Sequence, residues 1–173
     1  MKKYMIVAAA FVAGMAVAVA GLFLLPGHRW FSTQYADVLW VCDISNPEVV
    51  AEEVDNIFIG RVTAHGGQPT YQEGEDSPTT LWQVELVENL KGEFPETGTV
   101  TQLGGFDREG TTLYLNELHE ELLTVGATVL FTVHLDAESG EYVMIPAVSA
   151  GPITEPLGPD NKIRQLWLDA IAG

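Results

Sequence analysis

An uncharged apolar stretch over residues 4–25 decides how the rest of this chain is organised. About 20 consecutive apolar residues are what a helix needs to cross the hydrocarbon of a bilayer. The stretch therefore predicts an N-terminal transmembrane helix and sets residues 1–29 aside as an anchor. Lys2 and Lys3 precede it, and cations favour the cytoplasmic side, so the C-terminal part is expected outside the cytoplasm; His28 and Arg29 oppose this weakly. Tyr4 at one end and Trp30-Phe31 at the other fall where interfacial aromatics belong, and Pro26-Gly27 stops the helix. Ala18-Val19-Ala20 has the small-residue pattern of a signal-peptide cleavage site, so secretion after a cut near Ala20 is the alternative. Such a cut would leave Leu22, Phe23, Leu24 and Leu25 on the new N-terminus, and the run exceeds the roughly 7–15 apolar residues of a signal peptide. The expectation is an uncleaved single-pass cell-membrane protein. Ala10, Gly14 and Ala18 recur on one helix face. They fit either a weak homodimer contact between anchors or the ordinary output of an alanine-rich helix.

The remaining residues are strongly acidic. The chain has 24 Asp and Glu against 8 Lys and Arg. Beyond Arg29 only Arg61, Lys91, Arg108, Lys162 and Arg164 face all 24 carboxylates, a net of −19. Such a surface repels nucleic acid and anionic lipid, which excludes nucleic-acid binding, and is compatible with solubility, divalent cations or a basic partner. Cys42 is the one cysteine, so no intrachain disulfide forms. It reads as a packed thiol or an intermolecular bond. Leu39-Trp40-Val41 before it is too bulky for a lipid-attachment motif.

Residues 30–45 read as an aromatic-rich stem, with 38–41 either an edge strand or a packed tether. Residues 46–173 read as a single extracytoplasmic domain. A short helix over 47–54 starts at Asn46 or at Ser45, which has Glu48 at capping-box spacing, and buries Val50 and Val54. Residues 56–65 form a strand with Phe58, Gly60, Val62 and Ala64 on one face; Gly60 in mid-strand predicts a bulge. A polar loop over 66–79 follows. Residues 81–90 alternate with Trp82, Val84 and Leu86 inward and Gln83 and Glu85 outward, then turn at Lys91-Gly92. Residues 99–103 make a shorter strand. Between 107 and 125 the pattern is weak, with brief pairing at Leu113 and Leu115 and packing at Leu122-Leu123. Residues 128–135 place Val129, Phe131, Val133 and Leu135 on one face, and a hairpin loop over 136–140 leads to a partner strand at 142–147. A link over 146–159 precedes a helix capped by Asp160, whose Ile163, Leu166, Trp167, Ala170 and Ile171 make one apolar stripe expected to dock on the domain. Five strands in a small domain curl and close to remove their edges. The fold class is therefore mainly β: a five-stranded OB-like β-barrel with a short N-terminal helix, a C-terminal amphipathic helix and the transmembrane helix.

Several stretches resemble a known family. Glu53-Val54-Asp55-Asn56-Ile57-Phe58-Ile59-Gly60-Arg61-Val62 is similar to the opening strand of tissue-inhibitor-of-metalloproteinase-like (netrin-like) domains. Trp82-Gln83-Val84-Glu85-Leu86-Val87-Glu88-Asn89-Leu90-Lys91-Gly92 resembles the next strand with the Leu-Lys-Gly turn of bacterial members. Thr99-Val100-Thr101 with Gly104-Gly105 resembles the third strand and its exit, and Val125-Gly126-Ala127-Thr128-Val129-Leu130-Phe131 a later strand in which Val129 stands for the usual aromatic. The resemblance covers roughly residues 53–147. It implies the barrel and an extracytoplasmic setting. It does not carry over protease inhibition, because the N-terminal cysteine and the disulfides of the animal inhibitors have no counterpart.

No catalytic residue stands out. Glu117, His119, Glu120 and Glu121 are the densest set of metal-ligand types, but the two-histidine spacing of a zinc protease is missing; His65 and His134 lie on other elements. Asp107, Glu109 and the loop residues Glu73, Glu75 and Asp76 lack the alternating ligands of a calcium loop. No Gly-x-Ser-x-Gly is present, and Gly104-Gly105 is a turn rather than a phosphate cradle. No cofactor is expected, and whether the acidic loops take a metal stays open. The expected function is a membrane-tethered, non-enzymatic binding domain, held to the membrane through residues 4–25, for a protein or glycan at the cell surface. The alternative is a metal-dependent extracytoplasmic hydrolase using the acidic loops.

Overall fold

A computed structural model describes residues 32–36, 42–67, 78–106, 110, 112–116, 121–137, 139–147 and 150–173. The expected transmembrane helix and the possible strand at 38–41 lie outside them. No helix among the described residues is long and apolar enough to cross a membrane. The strands are β1 (Ser32–Ala36), β2 (Asn56–His65), β3 (Thr79–Lys91), β4 (Thr97–Leu103), β5 (Gly105–Phe106), β6 (Thr112–Asn116), β7 (Thr128–Leu135), β8 (Tyr142–Met144) and β9 (Gly151–Pro152). The helices are α1 (Pro47–Glu53) and α2 (Lys162–Ala172).

The described residues form a mainly β fold, with a closed five-stranded barrel and two helices. Antiparallel pairs join β2 to β3, β3 to β4, β8 to β7 and β7 back to β2, and one parallel pair joins β4 to β8. Numbered along the chain, the barrel strands run 1-2-3-5-4 and return to 1. β9 adds to β7 at Val129 and Leu130. Bending strands this far requires breaks in register, and the β2–β3 ladder slips between Ile57 and Phe58, Ile59 and Gly60, and Val62 and Ala64. Gly60 sits at one slip, as its place in mid-strand predicts. Inside the barrel Phe58 stacks on Phe94 at 3.9 Å and on Phe131 at 5.0 Å between ring centroids. Val62, Trp82, Val84, Val100, Leu123, Val129, Val133 and Met144 pack into the same core, with Leu86 half-buried against it.

A second core lies outside the barrel wall. Ile57 and Ile59 of β2 and Leu130 of β7 alternate away from the interior, and are fully buried under Val50, Ala51 and Val54 near α1 and Trp167 and Ala170 of α2. This is why β2 and β7 are apolar on both faces. Leu135, expected on the inner face of β7, is 39% exposed because it is the last residue of the strand. Leu166, expected in the docking stripe, is 43% exposed, so the buried face of α2 centres on Trp167 and Ala170.

Asparagine caps the N-terminus of both α1 and α2. Asn46 Oδ1 accepts from Glu48 N at 3.0 Å, while Ser45 Oγ turns away to donate to Asp43 Oδ1 at 2.6 Å. Asn161, not Asp160, caps α2: its Oδ1 accepts from Arg164 N at 3.0 Å. Asn161 is buried, so its side chain is fixed against the first turn, whereas Asp160 is exposed. Apart from the barrel, β1 pairs in parallel with β6, which pairs antiparallel with β5. Ser32–Ala36 of the expected stem is therefore a strand.

Candidate binding face

Alternation places Trp82, Val84 and Val100 inside the barrel, so Gln83, Glu85, Thr97, Thr99 and Thr101 point out of β3 and β4. The register sets Gln83 opposite Thr99 and Glu85 opposite Thr97, with Arg61 of β2 on the other side of Glu85. Hydrogen bonds knit these groups into a polar surface. Thr63 Oγ1 donates to Gln83 O at 3.2 Å, Gln83 Nε2 donates to Thr99 Oγ1 at 2.8 Å, and Thr101 Oγ1 donates to Glu141 Oε2 at 3.3 Å. Thr63, Glu85 and Thr97 are exposed, Gln83 and Thr99 half-buried, and Thr101 buried. β4 itself carries no charged residue. The face thus offers preset hydroxyl and amide groups, with the β7–β8 hairpin at its margin. Asp136 N closes that hairpin by donating to Glu141 O at 2.9 Å.

Other ionisable groups are bound into the architecture. Lys91 Nζ donates to Ala51 O at 2.6 Å and Val54 O at 2.7 Å, closing the C-terminal end of α1. Glu88 holds Arg164 through both carboxylate oxygens: Nη2 donates to Oε1 at 2.6 Å and Nε to Oε2 at 2.9 Å. Those bonds hold the Glu88 carboxyl below its usual range and raise the Arg164 guanidinium. Asp55 Oδ2 lies 2.7 Å from His134 Nδ1 and accepts from Leu135 N at 2.8 Å. Cys42 is half-buried against the outer core, and burial, with Glu53 and Asp43 nearby, pushes its thiol upward, away from the reactive thiolate. A cleft of about 360 Å³ opens between the helices, lined by Glu48, Ala51, Glu52, Lys91, Ala170, Ile171 and Gly173.

Of the residues weighed as metal ligands from sequence, Glu73, Glu75, Asp76, Asp107, Glu109, Glu117, His119 and Glu120 lie outside the described residues. Glu121 contributes its carbonyl, which accepts from Gln102 Nε2 at 3.1 Å. His65 lies edge-on to Trp82 at 5.1 Å, and His134 sits with Asp55, so the two histidines serve different neighbours. No three His, Cys, Asp or Glu residues converge among the described residues. From sequence Lys91 reads only as a turn residue, and the Glu88–Arg164 pair carries no signal at all. Their partners are remote along the chain, and no local pattern marks them. No family model matches the chain, and no curated protein matches it significantly in sequence.

Proposed function

We propose that this chain is a membrane-tethered extracytoplasmic binding module of OB-like, netrin-like type, which engages a protein or glycan through the outer face of β3 and β4. The barrel order 1-2-3-5-4-1, with its one parallel pair between the third and fifth strands, supports the OB-like reading. In OB barrels the second and third strands and the loops beside them form the binding surface. The observation that carries the reading is the uncharged β4 side of that face. Beyond Arg29 the chain is net −19, yet β4 is free of charge and Gln83, Thr97 and Thr99 stand together on a continuous ladder. Preset hydroxyls and an amide recognise neutral polar ligands with little ordering cost. The described ionisable groups with the closest contacts, Lys91, Glu88, Arg164 and Asp55, are occupied by the fold, which favours binding over acid–base chemistry. The apolar run over 4–25 supports the tether.

The test is proximity labelling in intact membranes with the full chain and with a Gln83→Ala/Thr99→Ala double variant of unchanged melting temperature. The variant is expected to lose the surface partners labelled by the native chain. Identical labelling by both would remove this face from the proposal.

A further inference from the structure

The three-stranded sheet beside the barrel is uncharged in every strand. β1 reads Ser-Thr-Gln-Tyr-Ala, β5 Gly-Phe and β6 Thr-Leu-Tyr-Leu-Asn. In a chain that is net −19 beyond Arg29, this second sheet is neutral too, and it joins the barrel where β5 follows β4 through Gly104. Among the described residues β1 is the outer strand of its sheet: it meets β6 in an unbroken register from Ser32 opposite Thr112 to Ala36 opposite Asn116. The side chains of Ser32, Thr33, Gln34 and Tyr35 are exposed. Edge strands are templates for further pairing, and chains that avoid it guard them with lysine, proline or an inward charge. β1 has none of these.

We propose that β1 pairs antiparallel with β1 of a second copy of this chain across a two-fold axis, joining two three-stranded sheets into one of six strands. A contact between identical strands that closes on itself is isologous, and for β-strands about such an axis that means antiparallel. Charge selects the same occupant. Two copies this acidic repel wherever carboxylates face one another, and an uncharged sheet is where they approach at least cost. The anchor adds a third argument, which rests on the membrane reading above while the strand pairing does not. Copies confined to one membrane share a common plane, and the small-residue row Ala10, Gly14 and Ala18 would supply a second weak contact. Two weak contacts on one chain reinforce each other through effective concentration, provided both can be made at once. Antiparallel pairing with Ser32 opposite Ala36 separates the two Ser32 residues by about 14 Å. Six residues, 26–31, separate the apolar run from Ser32, and a chain of that length spans at most about 20 Å.

The experiment uses the full chain in native membranes with Cys42→Ser as background. Thr33→Cys and Gln34→Cys, near the centre of β1, are oxidised with copper phenanthroline beside Ser139→Cys in the exposed hairpin. At least one β1 cysteine is expected to give a disulfide-linked dimer while Ser139→Cys stays monomeric. In detergent, Gln34→Lys is expected to abolish the native dimer seen by sedimentation at an unchanged melting temperature, and Gly14→Ile to weaken it. Failure of both β1 cysteines to crosslink above Ser139→Cys would overturn the proposal. So would a dimer that persists in Gln34→Lys and disappears in Gly14→Ile, which would assign association to the anchor alone. Neither result depends on whether Gln83 and Thr99 bind a partner.

Discussion

A Cβ built on Gly60 would lie 2.5 Å from Val84 Cγ1, 3.0 Å from the Phe58 ring and 3.2 Å from the Phe131 ring. All three neighbours are packed inside the barrel, so none can retreat cheaply. Gly60→Ala is expected to cost about 1–3 kcal/mol, the range for overpacking a closed core, read as a lowered urea midpoint with unchanged slope. Phe131→Ala, the reverse change at the same contact, is expected to cost about 3–5 kcal/mol by leaving a cavity. An unchanged midpoint in either variant would contradict the interior packing. Gln102 shows a different economy of contacts. Buried at the barrel's end, its Oε1 accepts from Trp82 Nε1 at 2.9 Å and from Leu123 N at 3.1 Å. Of the candidate face, Gln83 and Glu85 are legible from sequence because residues 82–86 alternate strictly. Glu88 is not, because the ladder slips between Ile59 and Gly60 and carries Glu88 to the side where Arg164 waits. A two-residue period holds only while the register holds.

At the scale of elements, α2 is held by an apolar contact and an ionic one. Trp167 is fully buried, and Arg164 reaches Glu88 across the helix–barrel boundary. Deleting residues 160–173 would uncover the outer core around Val50, Ile57 and Ile59. The truncated chain is therefore expected to melt at a lower temperature; unchanged melting would show that α2 contributes nothing to the domain. The ionic contact has a definite pH sign. Arg164 depresses the Glu88 carboxyl below its ordinary value of 4.5, so its contribution is complete above that value and fades as pH falls through the lower folded one. Because the pair is partly exposed, the effect is modest. Glu88→Gln should lower the melting temperature at pH 7 and narrow its gap to the native chain toward pH 3; a gap that widens on acidification would reverse the assignment. β2 and β7 span the residues that their patterns predict, 56–65 and 128–135. β1 and β6 were harder to read, because parallel pairing between residues 80 apart leaves no local turn signal. The asparagine caps were ambiguous for a related reason: Ser45, Asn46, Asp160 and Asn161 are all capping types, and burial chose among them.

For the molecule as a whole the decisive quantity is charge. Residues beyond Arg29 carry −19, with Arg164 and Lys91 tied to Glu88 and to the end of α1. Carboxylates repelling one another across so small a domain destabilise the compact state, and salt screens that repulsion within about 10 Å at 0.1 M. Raising sodium chloride from about 10 mM to about 150 mM at pH 7 is therefore expected to raise the melting temperature of the chain in detergent. A stability carried by surface ion pairs would respond in the opposite sense, since the same screening weakens attraction. The comparison is informative because the described ion pairs are few: Glu88 with Arg164, and Asp55 with His134 only when the imidazole is protonated. Self-association through the neutral β1 edge would also strengthen with salt, whereas capture of a basic partner by the acidic surface would weaken. Running the salt series at several protein concentrations separates the two intrinsic effects, because repulsion within one domain is independent of concentration and dimerisation is not. A melting temperature that falls as salt rises would mean that attraction outweighs repulsion in this domain despite its net charge. It would also remove the electrostatic argument for contact at the uncharged sheet.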